Sequence, residues 1–340
     1  MRIFAIESSC DESAVALLED GLVLGERIAS QIDMHARFGG VVPELASREH
    51  LRALPPMVAD LFAECRCGWS SVDAIAVTAG PGLMGALLVG VSYASGIAVA
   101  GGLPLTPVHH LEGHLLAAGI EGGDLPTPSI TLLVSGGHSL LVRVDGVGHY
   151  HILGQTVDDA AGECFDKCAR MLGLGYPGGP AIAAAACGGD GTRFDLPRPM
   201  LHQPNLNFSF SGLKTALSYL LRDQPDLLES ADGVSAAAAS VEEAICTVLV
   251  AKSLRACRES GVRDLVVAGG VAANRRLRTE LAASCAADGI SLHLPQGSHC
   301  TDNAAMIAYA AWLRHRHGMA VPSRSSWDAR ARWSLDELSL

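Results

Sequence analysis

The chain has 340 residues, 49% hydrophobic and 18% charged, and its 25 Lys+Arg against 36 Asp+Glu leave a net charge of −11. That apolar content excludes an intrinsically disordered chain, and the length, at roughly 150 residues per domain, predicts two domains with cores of their own. The acidic balance argues against a protein that coats nucleic acid non-specifically, because such binding needs Lys and Arg to neutralise phosphates.

The first ten residues carry no long apolar stretch and no small-residue cleavage site, so the expectation is a cytoplasmic protein without a secretory signal. Residues 3–6 are an apolar run, 8–13 a polar turn and 14–18 a second apolar run, the pattern of a β-hairpin. Residues 43–64 show helical spacing of apolar positions. Residues 74–111 then give 38 positions without Asp, Glu, Lys or Arg. A spanning helix needs about 20 unbroken apolar residues, whereas Pro81, Pro104, Pro107 and paired glycines divide this run into strand, turn, helix (83–100) and strand. A buried helix is expected, and no membrane.

The hairpin pattern returns 127 residues later: residues 130–134, the turn Ser135-Gly136-Gly137-His138, and residues 140–144. Likewise residues 74–78 run into Ala79-Gly80-Pro81-Gly82 and a helix, and 265–268 run into Gly269-Gly270 and a helix around Asn274. Helical patterns at 160–172, 234–259 and 304–316 complete an alternation of strands and helices. The expectation is a duplicated α/β fold, two lobes whose facing turns line a cleft with glycine-rich backbone that suits phosphates. The ten cysteines form no CxxC pair and read as buried free thiols.

His110 and His114 stand at i and i+4, so on a helix they share one side and can hold one metal ion, with a carboxylate completing the set. Asp11, Asp158, Asp159, Asp166 and Asp302 are the candidates for that carboxylate, and spacing does not choose among them. Asp302 reads equally as a cap for the helix at 304. Because Glu112 follows His110 by two residues, the HExxH zinc-protease pattern is not matched. Asp11, Glu12, Ser135, His138, Asp166, Lys167 and Asn274 follow strands or open helices beside glycines, where capping is the ordinary role; Ser211 is another expected cap. The C-terminal stretch sets Arg314, Arg316, Arg324, Arg330 and Arg332 beside Trp327 and Trp333, which suits either RNA or a tail packing its indoles on the core.

Taken together, Ile6 to Glu12, Gly39 to Glu44, Thr78 to Leu83, His109 to His114, Leu133 to His138, Gly162-Glu163 with Phe165 to Lys167, Tyr176 to Pro180, Phe208 to Thr215, Gly269 to Val271 with Ala273 to Arg275, and Cys300 to Asn303 resemble the motifs of the bacterial tRNA N6-adenosine threonylcarbamoyltransferases (TsaD), in order and over nearly the whole chain. The resemblance implies the duplicated actin-like ATPase (ASKHA) fold, with lobes at 1–126 and 127–304 and a tail, 305–340, returning to the first. It implies a divalent metal, iron(II) or alternatively zinc, on His110, His114 and Asp302. It implies substrate contacts from Leu133, Val134, Ser135, Gly136, Gly137, Asp166, Gly179 and Asn274, with Asp11 and Glu12 near the reacting end. The implied reaction passes a threonylcarbamoyl group from threonylcarbamoyl-AMP to tRNA, with an inactive paralogue (TsaB) and a P-loop ATPase (TsaE) as partners. Ala183 departs from the family pattern, where many members carry a polar or acidic residue, and one ribose contact is thereby in doubt.

Overall fold

The structure, a computed structural model, describes residues 1–120, 125–294, 300–319 and 327–338. By contacts it divides into two compact units: Met1–Leu125 with Gly146–Tyr150 and Gln296–Leu340, and Pro126–Asp145 with His151–Pro295.

In the first unit, β1 (Arg2–Glu7) and β2 (Glu12–Glu19) form the expected hairpin, Arg2 opposite Glu19 and Glu7 opposite Ala14. A third strand, β3 (Leu22–Ser30), pairs with β2. It is not foreseen, because its half-exposed edge position carries a mixed apolar and polar sequence. A short helix α1 (Ile32–Ala36) leads to α2 (Pro43–Glu64). Next come β4 (Ala74–Gly80), parallel to β1, the helix α3 (Met84–Gly101), β5 (Leu105–His109), parallel to β4, and α4 (His110–Leu116). The sheet order is β3-β2-β1-β4-β5.

β1 and β4 are buried on both faces, which is why they read as unbroken apolar runs. Phe4, Ile6, Ile75 and Val77 pack on Leu54, Val58 and Leu61 of α2 and Val91, Ala94 and Ala98 of α3. Each fully buried Leu or Phe contributes roughly 2–3 kcal/mol before entropy is counted. The membrane expectation needs one refinement. α3 is long and apolar enough to span a bilayer by length and composition, as is a later helix, Ala231–Ser260. α3 buries one stripe on the sheet, in keeping with the helix expected there, and leaves Met84, Leu88 and Val99 exposed.

The second unit repeats the plan. β6 (Ser129–Val134), β7 (Ser139–Gly146) and β8 (His149–Gln155) form the antiparallel part, and β6 also pairs in parallel with β9 (Asp264–Ala268), which pairs with β10 (Ser291–His293). Read from β8 the order is β8-β7-β6-β9-β10, the arrangement of the first sheet. Its helices are α5 (Ala161–Met171), α6 (Gly178–Ala185), α7 (Ser211–Asp223), α8 (Ala231–Ser260) and α9 (Arg275–Asp288). Ile130, Leu132 and Val134 of β6 and Leu265 and Val267 of β9 share a core with Phe165 of α5 and Ile245 and Leu249 of α8. Finally α10 (Ala304–Arg316) covers the free face of the first sheet, where the alanines at 5, 14, 16, 74 and 76 admit a close approach. All ten cysteines are free; six are buried as expected, whereas Cys10, Cys65 and Cys67 are half-buried and Cys187 is exposed.

Candidate metal centre

β5 delivers the chain to His109, whose Nδ1 accepts from the Leu111 amide and so caps α4. On α4 the i, i+4 spacing does place His110 and His114 together, their rings 4.8 Å apart. Asp302 arrives from the other end of the unit, just before α10. Its Oδ1 lies 3.0 Å from His114 Nε2 and 3.6 Å from His110 Nε2. One ligand atom from each of the three lies within 4.8 Å of the others. The cap of α10 is Asn303 rather than Asp302: Asn303 Oδ1 accepts from the Met306 amide at 2.8 Å. Asp302 is left to face the histidines.

Glu7, at the end of β1, was not anticipated. Its carboxylate is fully buried. It accepts from the Ser9 amide at Oε1 and from Thr78 Oγ1 at Oε2, and the same Oε2 lies 3.2 Å from His110 Nδ1. Burial alone would raise the Glu7 pKa, but His110 beside it and the bond from Ser9 hold it below the ordinary carboxylate value. The ionised Glu7 is an acceptor for a hydrogen bond from His110 Nδ1–H, which turns Nε2 of His110 toward Asp302, the carboxylate–histidine arrangement that orients metal ligands. For His110 burial opposes the charged ring, yet Asp302 and Glu7 outweigh it and push its pKa up to about 9. The same negative field favours a divalent ion between the ligands. His114 Nε2 also faces Asp302, while its buried Nδ1 has no hydrogen-bond partner among the described residues. Two imidazole nitrogens and one carboxylate oxygen form a donor set that first-row divalent ions accept, with coordination positions left over for substrate. The residues present fit a metal.

Of the other carboxylates weighed as third ligand, Asp158, Asp159 and Asp166 belong to the second unit and have other partners. Asp158 accepts from Ser209 Oγ, Ser211 Oγ and the amides of Phe210 and Ser211. Ser211 is therefore not the cap expected; Asp158 caps α7 from 53 residues away. Asp159 holds Lys167 at 2.8 Å and Lys214 at 3.7 Å. Asp166 Oδ1 accepts from the Gly178 amide at 2.6 Å. In the first unit Asp11 stands beside Glu12. The Glu12 pKa is raised to about 8, first by burial and then by Asp11 and Asp302, and its Oε1 accepts from Ser30 Oγ at 3.1 Å.

The residues around the glycine turns gather at the ends of β6 and β9. Ser135 and His138 close the β6–β7 turn on each other, Ser135 N donating to His138 O at 2.8 Å. A Cβ on Gly269 would lie 2.3 Å from Val134 O, one on Gly162 2.5 Å from Ser135 O, and one on Gly178 2.4 Å from Asp166 Cα. These glycines allow close packing. Gly136, Gly137 and Gly179 instead have open space where a side chain would stand, so their backbone can meet a ligand. Leu133 and Val134 lead into this turn from β6. Asn274 caps α9, accepting from Leu277 N at 2.9 Å, and its amide donates to buried Glu242 at 2.7 Å. Ala183, on α6, offers no polar group. The α5 and α9 N-termini thus adjoin the ends of two parallel strands, a place where anions are well received, and the α6 N-terminus packs on α5 at Asp166.

The aromatic tail packs inward. Trp327 and Trp333 lie against the core of the first unit, and Arg330 N donates to Ala79 O at 2.7 Å. Both indoles are half-buried in that packing, the second of the two roles the sequence offers for them, and Arg324 lies outside the described residues.

A family model described as TsaD, tRNA N6-adenosine threonylcarbamoyltransferase, matches residues 22–309. The chain belongs to this family. A relative from Paracidovorax citrulli (strain AAC00-1), named tRNA N6-adenosine threonylcarbamoyltransferase, is 51% identical over 344 residues, covering 99% of this chain and 98% of its own. One of the same name from Geobacter sp. (strain M21) is 50% identical over 341 residues, covering 100% and 98%. Among solved structures, the Acidaminococcus fermentans (R)-2-hydroxyglutaryl-CoA dehydratase component A superposes with a TM-score of 0.53 at 13% identity, over 93% of this chain and 99% of that one. That likeness concerns the fold, the duplicated actin-like ATPase architecture. The neighbours of the site whose roles the sequence does not reveal are the buried Glu7, Thr78, Glu112 and Tyr150 and the half-buried Arg314. A lone acidic residue in a strand otherwise apolar was the available signal for Glu7.

Proposed function

We propose that the chain transfers the threonylcarbamoyl group from threonylcarbamoyl-AMP to N6 of the adenosine 3′ of the anticodon, in tRNAs reading codons that begin with A. The new bond joins N6 to the carbamoyl carbon, the bond from that carbon to the AMP phosphate oxygen breaks, N6 loses a proton, and AMP leaves. The observation that carries this reading is the meeting of His110, His114 and Asp302 in a chain of this family. The donor is already activated, so the work is orientation and stabilisation of charge on the carbonyl oxygen.

His110, His114 and Asp302 would hold a divalent ion, iron(II) by preference and zinc as the alternative; when bound it supplies Lewis-acid polarisation or anchoring of the threonylcarbamoyl group. Glu7 keeps the His110 proton on Nδ1. Backbone amides of Gly136 and Gly137, with Gly179, receive the AMP phosphate, and Asp166 and Asn274 hold the turns and helix ends that frame it; Ser135, whose amide closes the turn on His138, and the fully buried Leu133 and Val134 hold that turn in place from β6 rather than touching the donor by their side chains. Asp11 and Glu12 position the reacting end. Partners of the TsaB and TsaE kinds, and a cytoplasmic setting, complete this reading.

A protease reading is disfavoured by Glu112, whose two oxygens are taken by Tyr150 and Arg314 and so are not available as a general base. A kinase of the same fold would release ADP. The test is incubation with TsaB- and TsaE-type partners, unmodified tRNA and a donor labelled in threonine. Label in the RNA nucleosides with equimolar AMP supports transfer; ADP without label refutes it.

A further inference from the structure

Glu112 lies between the two histidines in sequence and across the helix from them in space, since two residues turn an α-helix by about 200°. Its carboxylate is fully buried. Oε1 accepts from the hydroxyl of buried Tyr150 at 2.8 Å, and Oε2 from Arg314 Nε at 2.7 Å. All three residues belong to the first unit, which takes in Tyr150 at the start of β8 while the strand from His151 onward belongs to the second. An apolar trio of similar volume would be about as stable as such a buried pair, but removing one partner strands the other's charge, so the pair enforces one arrangement.

Arrangement matters here because α4 has only seven residues, too few to hold itself, so its place is decided by its neighbours. Two contacts fix it on α10. A Cβ on Gly113 would sit 3.0 Å from Ile307 Cδ1 and 3.1 Å from Met306 Cγ, which brings the helices side to side. Arg314 reaches Glu112 from two turns further on, about 12 Å along α10 at 1.5 Å per residue. One contact sets distance and the other sets rotation. α4 carries His110 and His114, and Asp302 immediately precedes the α10 cap.

We infer that Glu112 is a positioning residue: its bonds to Tyr150 and Arg314 fix the rotation of α4 on α10 and thereby hold His110 and His114 within coordinating reach of Asp302. The inference rests on the reading of a cation at those three residues. Cobalt(II) titration of the full metal-free chain, by visible absorption and by competition with a chelator, reads the affinity and geometry of the centre without reference to transfer. Glu112→Gln keeps the volume and removes the charge; it is expected to weaken cobalt binding about tenfold or more and to alter the absorption bands. Tyr150→Phe and Arg314→Met follow the same direction, and Arg314→Lys recovers part of the loss. If Glu112→Gln does not fold, Tyr150→Phe and Arg314→Lys carry the test. Folded variants with lowered thermal stability but unchanged affinity and bands would make the clamp merely structural and overturn the inference alone. Failure of the unaltered chain to bind cobalt, or binding that survives loss of both histidines, would overturn the metal reading with it.

Discussion

His110 has one ring nitrogen for Glu7 and one for a cation, and that division follows from where β1 ends. The strand runs apolar to Ile6 and then places a carboxylate where Thr78 of the neighbouring strand and the Ser9 amide can pay its desolvation. Replacing His110 or His114 by Ala, or Asp302 by Asn, is expected to remove the bound ion and to slow AMP release by at least about a hundredfold, since metal polarisation of a carbonyl is worth several kcal/mol. Metal analysis beside single-turnover assays checks this; full transfer in a verified metal-free double histidine variant would refute the metal's role. Glu7→Gln should keep the fold and weaken metal affinity about tenfold, because the ring loses its orienting anion. The histidine pair was legible in the sequence because helix periodicity converts a spacing of four into a shared face. Asp302 was not, since it meets His114 across 188 residues, and only the family likeness singled it out. Glu7 was missed because an acidic residue at a strand end ordinarily meets water.

Helices α6 and α7 were the least legible elements, and for α7 the reason is its cap. Sequence reading looks for a cap at the helix start, yet Asp158 comes from a distant loop and receives two amides and two hydroxyls at once. Burial opposes its charge, but the bonds from Ser209 and Ser211 and from the Phe210 and Ser211 amides prevail and hold its pKa below the ordinary value. A depressed carboxylate stabilises the fold above its unfolded pKa and loses that contribution as pH falls through the folded one. Asp158→Ala should therefore cost about 1 kcal/mol near neutrality, kept small by the solvent exposure of the group, and the difference from the unaltered chain should shrink as pH falls below the ordinary carboxylate value. Urea midpoints at pH 7 and pH 3 measure it; an equal difference at both would show that the charge is irrelevant. The strands of both sheets were legible wherever two covered faces made them apolar throughout, as in β1, β4, β6 and β9. The glycine turn after β9 carries a stricter demand. Gly269 has φ +89° and no room for a Cβ beside Val134 O. Gly269→Ala is expected to destabilise by more than about 1 kcal/mol, seen as a lower unfolding temperature.

The shared order of the two sheets accounts for the recurrence found in the sequence: an antiparallel hairpin, then parallel strands added on the far side of its first strand. What duplicated, however, is backbone and apolar pattern, and chemistry diverged on it. The first copy gained histidines after β5 and a carboxylate before α10, while the second kept open glycines at its turns. Charge is a property of the whole chain and bears on RNA. With a net charge of −11, the molecule as a whole repels a polyanion. Many of its arginines are also already paired: Arg2 with Glu19, Arg193 with Asp232, Arg198 with Glu243, Arg258 with Asp288 and Arg276 with Glu280. A phosphate that meets one of these arginines must displace a carboxylate to gain the cation, which lowers the affinity that the pair can supply, while the remaining cations keep the binding electrostatic. The isolated chain is expected to bind unmodified tRNA no more tightly than about micromolar at ~0.15 M salt, with affinity falling steeply as salt rises. Filter binding of the lone chain at two salt concentrations decides this. Nanomolar binding insensitive to salt would mean that a basic or stacking surface outweighs the net charge, and that partners are not needed to bring the tRNA to the site.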